Sequence, residues 1–127
     1  MKNRKQANIN ITLKGLFRQW MEITKPFHKL AKQPQEILAL FLYYHYLYRK
    51  DITNDAILWK IVFDYDTKIK IKEELGISDQ VLQNNLTLLR RKNIINKNVI
   101  TPLFVPELEQ GSNNFKVIFN FNIINEK

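Results

Sequence analysis

Residues 71–95 read IKEELGISDQVLQNNLTLLRRKNII. Ile71 and Leu75 stand one turn apart just before Gly76, and glycine closes helices because it enters the left-handed region without a steric cost. Ser78, after the short turn Gly76-Ile77-Ser78, is suited to cap a second helix: its hydroxyl can accept from an amide of the first turn. That helix runs to Lys92. With about 100° of rotation per residue, Val81, Leu82, Leu86, Leu88 and Leu89 fall in one arc. Gln80, Gln83, Asn84, Thr87, Arg90 and Arg91 fall in the opposite one. Asn85 lies inside the apolar arc, so it needs a hydrogen-bond partner or a place at the edge. Asn93 can adopt the left-handed conformation that ends a helix. The stretch is thus two helices joined by a tight turn, with Ile94 and Ile95 opening a strand.

Upstream, TKIKIKEEL (67–75) alternates like a strand at first. Its continuation into Glu73-Glu74-Leu75-Gly76 decides for a helix capped by Thr67 or Asp66. DITNDAILWKIVFDYD (51–66) holds a short helix over Asp55–Phe63 with Ile57, Leu58, Ile61 and Val62 inward. Pro34 suits the first turn of a helix reaching about Lys50. There Ile37, Phe41, Tyr44 and Tyr48 form one stripe and Leu38, Leu42 and His45 an adjacent one, which marks the centre of the core. Tyr43, Tyr44, Tyr46 and Tyr48 read as core and rim, and are also of the kind that stacks on bases. Near the start, NINITL (8–13) alternates as a short strand does, and Leu16, Trp20 and Ile23 have helical spacing. Lys25-Pro26 should end that helix, because the residue before proline avoids the α region. Near the end, FKVIFNFNII (115–124) alternates as a half-buried strand does.

At 127 residues, 45% hydrophobic and 12% aromatic, the chain is long enough for one compact domain with a real core. It has no cysteine, hence no disulfide framework and no thiolate metal site, which fits a reducing compartment. The densest apolar run, Ile37–Tyr48, falls short of the roughly 20 residues that span a bilayer. No membrane partner is expected. The basic start MKNRKQANIN has no apolar run behind it and does not read as a secretory signal. The net charge of +8 is unevenly placed: residues 1–32 hold eight cations against Glu22 alone. The chain is therefore read as a basic N-terminal arm with a short strand and helix (1–32) and a second part (33–127). A basic arm can grip a phosphate backbone or simply solubilise.

Catalytic constellations are scarce. His28 and His45 lack a companion at metal-ligand spacing. Ser78 has a capping role, and Asp64 and Asp66 mark a helix boundary. The only glycines, Gly15, Gly76 and Gly111, make no phosphate-cradling loop. The chain is expected to be a non-enzyme without cofactor or small-molecule substrate.

The pattern IKEELGIS…VLQNNLTLLRRKNII resembles the winged helix-turn-helix superfamily. That resemblance implies a mainly α fold with a small antiparallel β wing. Asp79–Lys92 would be the recognition helix, Ile94 and Ile95 would open the wing, and 115–124 would be its returning strand. Lys72 stands where the family usually has a small residue, Asn93 where it usually has glycine, and 51–66 is an insert. More loosely, the Lys/Asn/Ile-rich chain resembles small proteins of crAss-like tailed phages that infect Bacteroidetes. This implies a place in the bacterial host cytoplasm or the virion.

Two readings follow. In the first, the chain contacts DNA: Gln80, Gln83, Asn84, Thr87, Arg90, Arg91 and Lys92 face the duplex, and Lys2, Arg4 and Lys5 of the arm hold phosphates. In the second, it is a structural subunit of a phage virion, such as a head-tail connector or ring component. It would then self-associate or pack on other phage structural proteins through exposed aromatics such as Trp20 and through strands 8–13 and 115–124.

Overall fold

The computed structural model describes residues 8–108, 115 and 122–125. Five α-helices and one small sheet follow one another: α1 Leu13–His28, α2 Lys32–Tyr48, α3 Asp55–Val62, α4 Tyr65–Leu75, α5 Asp79–Arg91, then β1 Ile95–Asn96 and β2 Val99–Ile100. A single 3-10 turn, Pro102–Phe104, comes after them. The protein is mainly helical with a small two-stranded antiparallel sheet.

α2 is the central rod. Its run Ile37 to Leu42 is buried on every side, because α1, α3, α4 and α5 all pack against it. Phe41 stacks on Phe63 with ring centres 4.6 Å apart, and His45 stacks on Trp59 at 4.1 Å. α1 contributes Phe17 and Met21 to the same core. The helix assigned to an arm is therefore part of the packed body. Lys14 of α1 ties to Glu74 of α4 at 2.7 Å, and that hydrogen bond raises the proton affinity of the ammonium.

Several expectations are corrected. Residues 8–12 form no strand: their side chains are exposed, and Thr12 caps α1 by accepting from the Gly15 amide. Among the described residues no strand lies alongside to build a ladder with them, and a lone short strand is not stable by itself. Pro26 does not end α1, which continues to His28. Proline removes the donor for the Glu22 carbonyl, but Glu22 is exposed to water. One residue back, the Met21 carbonyl is held by His28 Nε2 at 2.8 Å. The buried ring thus fastens the last turn around the proline.

α4 starts earlier than expected. Its cap is Asp64, whose carboxylate accepts from the Thr67 amide. Thr67 is instead buried, with its hydroxyl donating to the Ile61 carbonyl at 3.0 Å. In α3 the inward residues are Leu58, Trp59 and Val62, while Ile57 is exposed. Trp59 offers more apolar area to bury than Ile57, and His45 gives it a stacking partner.

The sheet closes sooner than 115–124. The strand after Ile94 turns at Lys97-Asn98 and returns as Val99–Ile100, pairing Ile95 with Ile100 and Asn96 with Val99. Both turn residues have positive φ, 51° and 57°, the geometry of a two-residue type I′ hairpin. Of the expected strand 115–124, residues 115 and 122–124 carry no regular structure, and 116–121 lie outside the described residues.

Candidate nucleic-acid interface

The candidate interface is built on α5. Ser78 accepts from the Val81 amide at 3.2 Å and fixes where the helix begins. Gly76 closes α4 in the left-handed region, φ 63°. Asp79 meets Lys72 of α4 across the turn at 3.1 Å. Lys72 is half-buried there, and its ammonium reaches the start of α5 rather than pointing into the core.

The two faces of α5 separate cleanly. Leu82, Asn85, Leu86 and Leu89 are buried. Asn85, the polar residue among them, donates to the Gln33 side chain at 3.2 Å and to the Val81 carbonyl at 2.9 Å. On the other face Gln80, Asn84, Thr87, Arg90 and Arg91 are exposed and Gln83 is half-buried. Gln80 donates to Asn84 at 2.8 Å, and the Thr87 hydroxyl donates back to the Gln83 carbonyl at 3.0 Å. Each of these six side chains still carries an uncommitted donor or acceptor, as base-edge or phosphate contacts require.

Lys92 behaves differently from its neighbours. Its ammonium donates to the backbone carbonyls of His28, at 3.2 Å, and of Lys29, at 3.4 Å. It therefore caps the end of α1 and brings that end beside the end of α5. Lys2, Arg4 and Lys5 lie outside the described residues.

Some neighbours of this face were not singled out from the sequence. Arg90 reaches Asn98 at the hairpin tip, 3.5 Å away, so Lys97 and Asn98 flank the helix on that side. Asn98 tolerates the left-handed region that a two-residue hairpin turn requires, but Lys97 carries no such signal, so the turn was only half legible. The position of Lys25 and Lys29 beside Lys92 was not, because it depends on how two helices 60 residues apart in sequence pack.

Other chemical groups are engaged elsewhere. His28 is buried: Nε2 bonds the Met21 carbonyl and Nδ1 accepts from the Leu30 amide at 2.9 Å. Among the described residues, no group of three His, Cys, Asp or Glu gathers to hold a metal ion. No helix among them is long and apolar enough to cross a membrane. Trp20 is half-buried, and its indole N–H donates to the Phe104 carbonyl at 2.9 Å. It packs internally and is not the exposed contact expected of it.

The chain matches no protein-family model, no curated protein and no solved structure.

Proposed function

We propose that this protein is a non-enzymatic DNA-binding module of winged-helix type. In this reading α4, the Gly76–Ser78 turn and α5 are its helix-turn-helix, and the 95–100 hairpin is a short wing. The observation that carries the reading is the exposed face of α5. It sets amides, a hydroxyl and two guanidiniums on one side of a helix whose other side is sunk in the core. Gln83 and Asn84 suit adenine, and Arg90 and Arg91 suit guanine or phosphate. The arm's Lys2, Arg4 and Lys5 add backbone contacts. A virion subunit that packs through protein contacts is the other reading, and it loses an argument with Trp20 turned inward.

The test is binding to a labelled duplex across a salt series, with light scattering on the same samples. Affinity should fall steeply with salt while the chain stays a small, defined species. Neutralising Arg90 and Arg91 should flatten the log–log salt slope by about 0.9 for each phosphate that is no longer neutralised. A version lacking residues 1–7 reports the arm separately. Weak, salt-insensitive binding by a chain that assembles into rings would overturn the proposal in favour of the virion reading.

A further inference from the structure

The C-terminal end of α1 gathers cations that have no carboxylate partner among the described residues. Lys25 and Lys29 are exposed and one helical turn apart at the end of α1, where the helix dipole favours each cation but leaves both ammonium groups open to an anion. Lys92, just past α5, adds a third cation at this end, since its ammonium sits on the His28 and Lys29 carbonyls. The field is felt at His28, where the charges of Lys92 and Lys25 both oppose protonation. Among the described residues the ion pairs are Lys14–Glu74 and Lys72–Asp79, so none of these three lysines has a carboxylate partner.

Their position relative to α5 matters more than their number. α5 has 13 residues, about 20 Å at about 1.5 Å per residue, whereas the major groove is about 12 Å wide. A helix seated in the groove by Gln80, Gln83 and Asn84 must bring its C-terminal end out at the groove wall, where the phosphates run. That end is flanked by Lys97 and Asn98 of the hairpin on one side and by the end of α1 on the other.

Resting on the DNA reading above, we infer that Lys25 and Lys29 form a second phosphate clamp. It grips one strand of the duplex backbone beside the C-terminal end of α5, and Lys92 holds it in place. The clamp reads no sequence. It sets the depth and angle at which α5 enters the groove.

Lys29 has φ 53°, a conformation asparagine tolerates better than lysine. The double variant Lys25→Gln/Lys29→Asn therefore removes both charges while keeping the helix end intact. Its affinity for several unrelated duplexes should drop by the same factor, and its salt slope should be shallower than the parent's by about 1.8. Lys60→Gln, at an exposed position of α3, is the matched control and should leave the slope alone. If the parent binds steeply and the double variant keeps the parent's slope, the clamp is overturned and the DNA reading stands. If the parent does not bind, both are overturned. A sequence-dependent loss would also overturn the clamp, because it would assign these lysines to base readout.

Discussion

At the scale of single residues, His28 shows how a side chain outside the candidate interface governs its geometry. The ring is buried, and its two nitrogens serve opposite roles: Nδ1 accepts from the Leu30 amide, so the proton resides on Nε2 and is donated to Met21. Burial holds its proton affinity below the ordinary histidine value. The Met21 carbonyl and Glu22 work against this shift, and Lys92 and Lys25 work with it. A base with a depressed value in the fold is preferred neutral. Its stability contribution is complete above about pH 6.5, the unperturbed histidine value, and is lost as pH falls through the lower folded value. His45, pushed the same way by burial against Trp59, adds to the same slope. The midpoint of urea unfolding should therefore fall between pH 7 and 5.5. His28→Gln should be less stable at pH 7.5 by about 1–3 kcal/mol, since two buried backbone groups lose a fitted partner, and it should have a flatter profile. A variant as pH-sensitive as the parent would remove His28 from the effect.

At the scale of elements, caps and turns decide what periodicity leaves open. The 67–75 segment alternates like a strand, yet α4 is a helix because Asp64 caps it and Gly76 closes it. Ser78 as the cap of α5, and Asn93 in the left-handed region, follow directly from residue type, so the α4–turn–α5 stretch was legible almost to the residue. The hairpin was only partly legible: Asn98 suits a left-handed turn position, but Lys97 does not signal one and Asn96 interrupts the apolar run before it. It is obscured because the longer alternating run at 115–124 reads as the stronger strand. The continuation of α1 past Pro26 was not legible, because it depends on a ring folding back from His28. The hairpin supplies a direct check. Lys97 and Asn98 both hold φ near +55°, which costs an L-residue roughly 1 kcal/mol or more, whereas Asn-Gly favours this turn. Asn98→Gly should raise the thermal midpoint by a few degrees. No gain would mean that the weak Arg90–Asn98 contact matters more than the backbone.

At the scale of the whole molecule, folding and the proposed binding draw on different faces of the same helices. Stability concentrates on α2, which packs against the other four helices and where Phe41 is fully buried and stacks on Phe63. The proposed contacts lie on the far side of α5 and at the end of α1, where side chains touch mostly water. The core was legible in Ile37, Leu38, Phe41 and Leu42. The gathering of charge around the end of α5 was not, because Lys25 and Lys29 belong to the end of α1 and Lys97 to the hairpin, and only packing brings these two elements to α5. The two properties should therefore be separable by substitution. Phe41→Ala removes a buried ring and should cost about 3–5 kcal/mol, lowering the unfolding midpoint of all five helices in one cooperative transition. Gln83→Ala/Asn84→Ala leaves the apolar face of α5 untouched and breaks only the exposed Gln80–Asn84 hydrogen bond, an i,i+4 pair worth about 0.2–0.5 kcal/mol. Its midpoint should stay within a degree or two of the parent's while duplex affinity falls. If the α5-face variant instead unfolds with the core variant, those amides hold the helix in place, and its exposed side is a supporting surface that touches no ligand of its own.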